Sequence, residues 1–281
     1  MVFKTYYPMP KFPPISLSGT ACQLRCQHCD ATYLRGMLAA DTPEALLSTC
    51  KTLSQKGAVG ALLSGGSDRE GGILNLKTML GAIQRIKQET SLILNLHPGL
   101  LDKATAEGLR VDFASLEIPA QDVITNVFRL DARTEDYVAT YDRLREAGIE
   151  VVPHISVYAG GEHALLRAVH APNVIVVIVF SPTRHTGMSD EAPPAPSMVA
   201  DVIRNVSAMF PKAEISLGCM RPRDKGLREE IELAALDAGA SRMELPSRKT
   251  LAYARERGYT IQGFDACCAL PLAYEALAVR S

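Results

Sequence analysis

Apolar runs of four to eight residues alternate along nearly the whole chain with longer stretches whose apolar positions recur at three and four spacing. That alternation predicts parallel strands joined by crossover helices, because no hairpin can close a parallel pair and the connecting helix must bury one face on the sheet. Eight strands are expected, over residues 15–18, 60–64, 92–96, 113–118, 150–154, 174–181, 214–217 and 242–245. Helices are expected over 42–55, 75–88, 134–147, 197–210, 226–238 and 248–257. Asp41 or Thr42, and Thr134, have the short oxygen-bearing side chains that cap a helix N-terminus. Eight strand–helix units in 281 residues predict an α/β fold closed as a complete (β/α)8 TIM-type barrel. An open doubly wound sheet uses the same local code with fewer strands. The Pro-rich stretch 191–197 is too short for a linker, so residues 1–281 read as a single domain. Residues 1–12 are set apart as an N-terminal extension and 259–281 as a C-terminal segment.

Composition narrows the function. A hydrophobic content of 47% allows a large core, and a net charge of −1 with scattered basic residues gives no continuous positive face for nucleic acid. The longest apolar run, residues 174–180, is too short to span a bilayer, and the N-terminus has no apolar leader pattern. The expected location is the cytoplasm, where thiols stay reduced. Seven cysteines, an odd number in a chain of this length, do not read as a disulfide framework.

In a barrel, chemistry gathers at the carboxyl ends of the strands. There the sequence places Cys22, Cys26 and Cys29 after the first strand, Ser64-Gly65-Gly66-Ser67 after the second, His97 after the third, Glu117 and His154 at the ends of the fourth and fifth, and Gly218-Cys219-Met220-Arg221-Pro222-Arg223 after the seventh. The Cys-x3-Cys-x2-Cys spacing lets three thiolates take three corners of a [4Fe-4S] cube, leaving one iron without a protein ligand. Structural zinc is the alternative, with His28 or Asp30 closing a tetrahedron, although such sites usually draw on two separated pairs. Gly65 and Gly66 let a backbone approach a ligand closely, or simply make a tight turn. Cys50, Cys219, Cys267 and Cys268 all fit as core residues. Arg221 and Arg223 suit a carboxylate or phosphate.

The cysteine triplet after a first strand, with a Gly-Gly pair closing a second, resembles the radical S-adenosylmethionine (SAM) superfamily over most of the chain. The resemblance implies a radical SAM barrel in which Cys22, Cys26 and Cys29 hold the cluster and SAM occupies the open iron. It also implies that His28 stands at the adenine-contacting position, usually aromatic, that Ser64, Gly65 and Gly66 bind the methionyl group, and that Glu117 holds the ribose. His154 would line the same cavity.

Pro153-His154-Ile155, Ser181-Pro182-Thr183, the segment 217–222 and Glu244-Leu245-Pro246-Ser247 narrow the resemblance to the biotin-synthase-like branch, and within it to the archaeal-type, two-component lipoyl synthases. That likeness implies a sulfurtransferase acting on a protein-bound octanoyl chain, with a second iron–sulfur cluster on Cys219, Cys267 and Cys268 as sulfur donor. Arg221 stands at the place of an arginine ligand in biotin synthase, and Ser281 is another candidate fourth ligand. The implied partners are a second radical SAM subunit, an octanoylated lipoyl domain or glycine-cleavage H protein, and an electron donor such as ferredoxin or flavodoxin. Biotin synthase itself, a metal-cofactor maturase, and a non-catalytic zinc-stabilised binding protein are the competing readings.

Overall fold

The computed structural model describes residues 1–280, so Ser281 lies outside the described residues. Each of the eight expected strands forms, and three more join them. In chain order they are β1 (Val2–Tyr6), β2 (Pro14–Ser16), β3 (Leu38–Ala39), β4 (Gly60–Ser64), β5 (Ile93–Leu96), β6 (Phe113–Glu117), β7 (Glu150–Val157), β8 (Val174–Val179), β9 (Glu214–Leu217), β10 (Arg242–Glu244) and β11 (Thr260–Phe264). The helices are α1 (Pro43–Gln55), α2 (Leu76–Glu89), α3 (Lys103–Gly108), α4 (Thr134–Glu146), α5 (Pro196–Met209), α6 (Lys225–Asp237), α7 (Arg248–Glu256) and α8 (Glu275–Ala278). Six of the eight were expected from periodicity. The short α3 and α8 offer too few turns to show a period.

The chain gathers into two compact units. An N-terminal unit holds residues 8–116 and 120–151, and a C-terminal unit holds 1–7, 117–119 and the residues from 152 onward. In the N-terminal unit β3 pairs with β2, β2 with β4, β4 with β5 and β5 with β6, all parallel. In the C-terminal unit the parallel order is β11, β1, β10, β9, β8, β7.

A complete eight-stranded barrel is therefore not what the strands describe. The fold is α/β with a parallel sheet of eleven strands, and within its own unit each run ends at a free edge strand, β3 or β11. These unexpected strands escaped notice for a physical reason. The two residues of β3 are both exposed, and β11 buries only its last residue. Neither carries the continuous apolar run that marks a strand covered on both faces. Residues 1–12, set apart as an extension, contain β1, which lies between β10 and β11 with Tyr6 in register with Glu244 and Phe264.

A charged cluster binds β1 into the C-terminal unit. The Lys4 ammonium lies 2.6 Å from the Glu214 carboxylate and 2.8 Å from that of Glu275. Arg242, with no exposed surface, reaches Glu214 at 3.2 Å and stacks 4.6 Å above the Tyr6 ring. Its Nη2 donates to the Leu270 carbonyl, which fixes the segment just after Cys267 and Cys268.

Helix caps follow the sequence at one end and depart from it at another. Thr42 caps α1, its hydroxyl accepting from the Ala45 N–H at 3.2 Å. Thr134 does not cap α4. Arg133 takes that position, its N–H donating to Asp136 at 2.8 Å, and the Thr134 N–H is satisfied by the Gln121 side chain at 3.3 Å.

Candidate functional site

In the N-terminal unit, β2 hands the chain to a loop that carries Cys22, Cys26 and Cys29, all free and half-buried. Backbone hydrogen bonds shape it: the Asp30 N–H donates to the Cys26 carbonyl at 2.9 Å, Thr32 to Cys29 at 2.7 Å, and Gln27 to Val127 at 2.7 Å. Left-handed residues turn the chain at Arg25, between the first two cysteines, and at Asp30 and Ala31, just after the third. Such conformations cost about 1–3 kcal/mol each and persist only where the surroundings impose them.

The Gly-Gly pair has a task that the sequence reading did not foresee. A Cβ on Gly66 would lie 2.0 Å from the Ala21 carbonyl oxygen and 2.5 Å from the Cys22 Cβ, so the cysteine loop occupies the space a side chain would need. Ser18 locks the two segments together, its hydroxyl accepting from the Gly66 N–H at 2.8 Å and donating to the Ala21 carbonyl at 2.9 Å. Ser64, the last residue of β4, accepts from the Leu17 N–H at 2.8 Å. Ser18 was missed because a small polar residue at a strand end carries no spacing signal.

The thiols are not electrically equivalent. Cys29 is held down at about 4 because Cys26 hydrogen-bonds to it and His28 lies beside it. Cys26 is pushed far up by the same hydrogen bond, by burial and by the other two thiols. The pair thus favours one thiolate and one thiol, with Cys22 close enough to be felt. His28 packs between Tyr33 and Phe128, with ring centroids 6.3 and 5.7 Å away.

Other candidates belong to different places. His97 directly follows β5, and burial lowers its imidazole to about 4. Glu117 ends β6 and is half-buried. His154 does not end its strand, because β7 continues to Val157; it is buried, with Nδ1 donating to the Val152 carbonyl at 3.0 Å.

The C-terminal unit carries the second set of cysteines. Cys219 follows β9 and is exposed, while Cys267 and Cys268, beyond β11, are buried. Cys268 is within electrostatic reach of both Cys219 and Cys267. Between them stands a residue that sequence reasoning noticed only inside a motif. Glu244 ends β10 at 6% exposure and accepts hydrogen bonds from the thiol and the backbone N–H of Cys268. Burial pushes its carboxyl up to about 6, against the pull of Arg221 and of those hydrogen bonds. Arg221, also buried, pairs with Glu232 at 3.3 Å, and its Nη2 donates to the Glu244 carbonyl. Cys50 is buried in α1, as core filler should be.

No family model matches the sequence, and no curated protein matches it. Solved structures do. Methylornithine synthase (PylB) superposes with a TM-score of 0.59 at 22% identity, over 86% of this chain and 72% of that one. The [FeFe]-hydrogenase maturase HydG from Carboxydothermus hydrogenoformans gives 0.62 at 16% identity, over 92% and 67%. SuiB from Streptococcus suis, solved bound to S-adenosylmethionine, gives 0.51 at 14% identity, over 90% and 58%. The fold is shared with these solved structures. At these identities the likeness is one of architecture.

The three thiols of the loop suit the cluster that their spacing leads one to expect. Three free thiols share one loop, one of them held as thiolate beside an aromatic-flanked imidazole. Among the described residues no three His, Cys, Asp or Glu side chains are placed to hold a single metal ion. A cube asks for a different arrangement, with one thiolate at each of three iron corners. No helix of the described residues is long and apolar enough to cross a membrane.

Proposed function

We propose that this chain is a radical SAM sulfurtransferase, one subunit of a two-protein lipoyl synthase that inserts sulfur into an unactivated C–H position of a protein-bound octanoyl chain. What supports the reading is the position of Cys219 just after β9 and of Cys267 and Cys268 just after β11, remote in sequence yet all at strand ends of the C-terminal unit. A radical enzyme needs one set of thiols. A sulfur donor gives the second a purpose.

Cys22, Cys26 and Cys29 would hold a [4Fe-4S] cluster with SAM on its open iron. Bound there and given one electron, cluster and SAM supply a primary carbon radical strong enough to take hydrogen from an alkyl chain. The chain's own residues prepare the place. Gly66 and Ser18 fix the loop at contact distance, and the Cys26 hydrogen bond, with His28 beside it, favours the Cys29 thiolate. Ser64, Gly65 and Gly66 would meet the methionyl group, Glu117 the ribose, and His154 would line the cavity. Cys219, Cys267 and Cys268 would hold the cluster that gives up sulfide. A carrier protein would present the octanoyl-lysine, with a second radical SAM subunit and a ferredoxin or flavodoxin completing the system.

Incubation with SAM, reductant and an octanoyl-lysyl peptide, alone and with the second subunit, should yield thiolated peptide by mass spectrometry. Failure with both proteins present overturns the reading. The fold likeness to a methylornithine synthase and a hydrogenase maturase favours a second reading, action on a small molecule. It predicts SAM cleavage without peptide thiolation. A colourless zinc-bound protein would instead support a binding role.

A further inference from the structure

We infer that the carboxyl ends of β9 and β10 carry a docking surface for an acidic protein, built from one exposed leucine, Leu245, set among the cations Arg223, Lys225, Arg228, Arg248 and Lys249. It rests on the proposed chemistry in one respect: the acidic protein is taken to be the octanoylated carrier.

Leu245 directly follows β10 and is 45% exposed. Its φ of 45° puts a bulky side chain in the left-handed region that favours glycine. Two hydrogen bonds hold it there. The Leu245 N–H donates to the Tyr6 carbonyl at 2.9 Å, and the Leu245 carbonyl accepts from the Arg228 Nη2 at 2.6 Å. Backbone strain of this kind persists only where the surroundings impose it, and here the result is an aliphatic group presented to solvent.

The cations around it form one cluster. Arg223 lies in the turn between β9 and α6, Lys225 opens α6, and Arg248 and Lys249 open α7. The two helices are tied together where they begin: Glu232 of α6 accepts from the Ser247 N–H at 2.7 Å, and Lys249 lies 3.9 Å from Glu229. Arg223, Lys225 and Arg248 are exposed and meet no carboxylate among the described residues. Their placement opposes the local field. The start of a helix carries partial positive charge and is stabilised by Asp or Glu, yet neither α6 nor α7 has an acidic residue in its first turn, and each puts a cation there. An anionic partner relieves the repulsion.

The pattern of charge favours a protein as that partner. Asp224, Glu229 and Glu230 are interspersed with the cations, and the whole chain carries a net charge of −1. Such a mixture repels a uniformly anionic polymer or bilayer, whereas a protein face can offer carboxylates to the cations and an apolar hollow to the leucine. Leu245 also has no ring on which a base could stack. In this arrangement the cations steer and orient the partner, and the central apolar contact holds it. Cys219, at the end of β9, precedes Arg223 by only four residues. A carrier seated here would bring its acyl-lysine to the strand ends.

The test measures binding of fluorescently labelled, octanoylated glycine-cleavage H protein to the full chain. Thiolation of that carrier and of a free octanoyl-lysyl peptide is followed in parallel, with the second subunit present. Raising salt from low to physiological should weaken carrier binding about tenfold. Arg248→Glu with Lys249→Glu should weaken it by about another tenfold and raise KM for the carrier, with kcat and peptide thiolation unchanged. Leu245→Gly should weaken binding about tenfold while leaving Tm no lower, because glycine takes that backbone freely; a leucine with only a structural role would lose Tm and not affinity. Affinity indifferent to both sets of substitutions overturns the surface, as does an equal loss of peptide thiolation. Binding of single-stranded RNA or of phosphatidylcholine–phosphatidylserine vesicles that the charge reversal abolishes, with no carrier bound, overturns the choice of partner. Carrier bound through this surface with neither carrier nor peptide thiolated leaves the surface standing and overturns the sulfur chemistry.

Discussion

The two sets of cysteines are built by opposite means. Cys22, Cys26 and Cys29 lie on one short loop, half-buried, arranged by backbone hydrogen bonds and left-handed turns, with a single imidazole to bias their charge. Cys219, Cys267 and Cys268 come from separate strand ends and stand among buried charges, Glu244, Arg221 and Glu232. A contiguous loop can form its site almost alone. A site assembled from strand ends exists only if the sheet beneath it is in register, so its integrity is tied to the stability of the whole unit.

That difference can be broken deliberately. The largest effect is expected from Cys26→Ala, which should abolish SAM cleavage and remove about four irons per chain while those at the C-terminal site stay, as iron analysis and reductive SAM-cleavage assays would read. Arg242→Met is the converse. It leaves Glu214 with Lys4 alone and Glu275 with Lys4 and the Tyr6 hydroxyl, and it releases the Leu270 carbonyl, so urea unfolding should show a loss of about 3–5 kcal/mol, with any iron at the C-terminal site lost before any on the loop. Gly66→Ala should act on the loop only, costing about 1–3 kcal/mol and slowing cluster loading, because its methyl would overlap the Ala21 carbonyl.

The units should also answer pH with opposite signs in the iron-free chain. Glu244 binds its proton more tightly folded than unfolded, so its contribution is present at low pH and lost as pH rises from 4.5 through about 6. His97 is the reverse: its contribution is present above 6.5 and lost as pH falls toward about 4. Glu244 is worth on the order of 2 kcal/mol and His97 on the order of 3, and Glu244→Gln and His97→Asn should flatten their respective slopes of unfolding free energy against pH. The smallest effect belongs to Arg25→Ala. Its pairing with Asp30, at 3.3 Å on the exposed side of the loop, should be worth under about 1 kcal/mol and leave iron content unchanged.

The same contrast explains what could be read from the sequence. Strands buried on both faces, such as Val174–Val179, declared themselves as apolar runs, and long amphipathic helices such as Leu76–Glu89 by their period. The cysteine triplet was legible because its spacing is local. Glu244 was not, since nothing in Arg242-Met243-Glu244 says that its carboxylate meets thiols more than twenty residues later; only the register of β10, β1 and β11 says so. Closure into eight strands was over-read. Apolar content counts the strands of a sheet's interior and says little about half-polar edges such as Thr260–Phe264.

The position of β1 sets an order of manufacture. A ribosome releases Val2–Tyr6 long before both strands that flank it, Arg242–Glu244 and Thr260–Phe264. Until then β1 has two unpaired edges and Lys4 has no carboxylate to meet. The N-terminal loop can close while synthesis continues, whereas the C-terminal thiols cannot be gathered until β11 is out. The two sets of thiols are thereby gathered at different times, those of the N-terminal loop first.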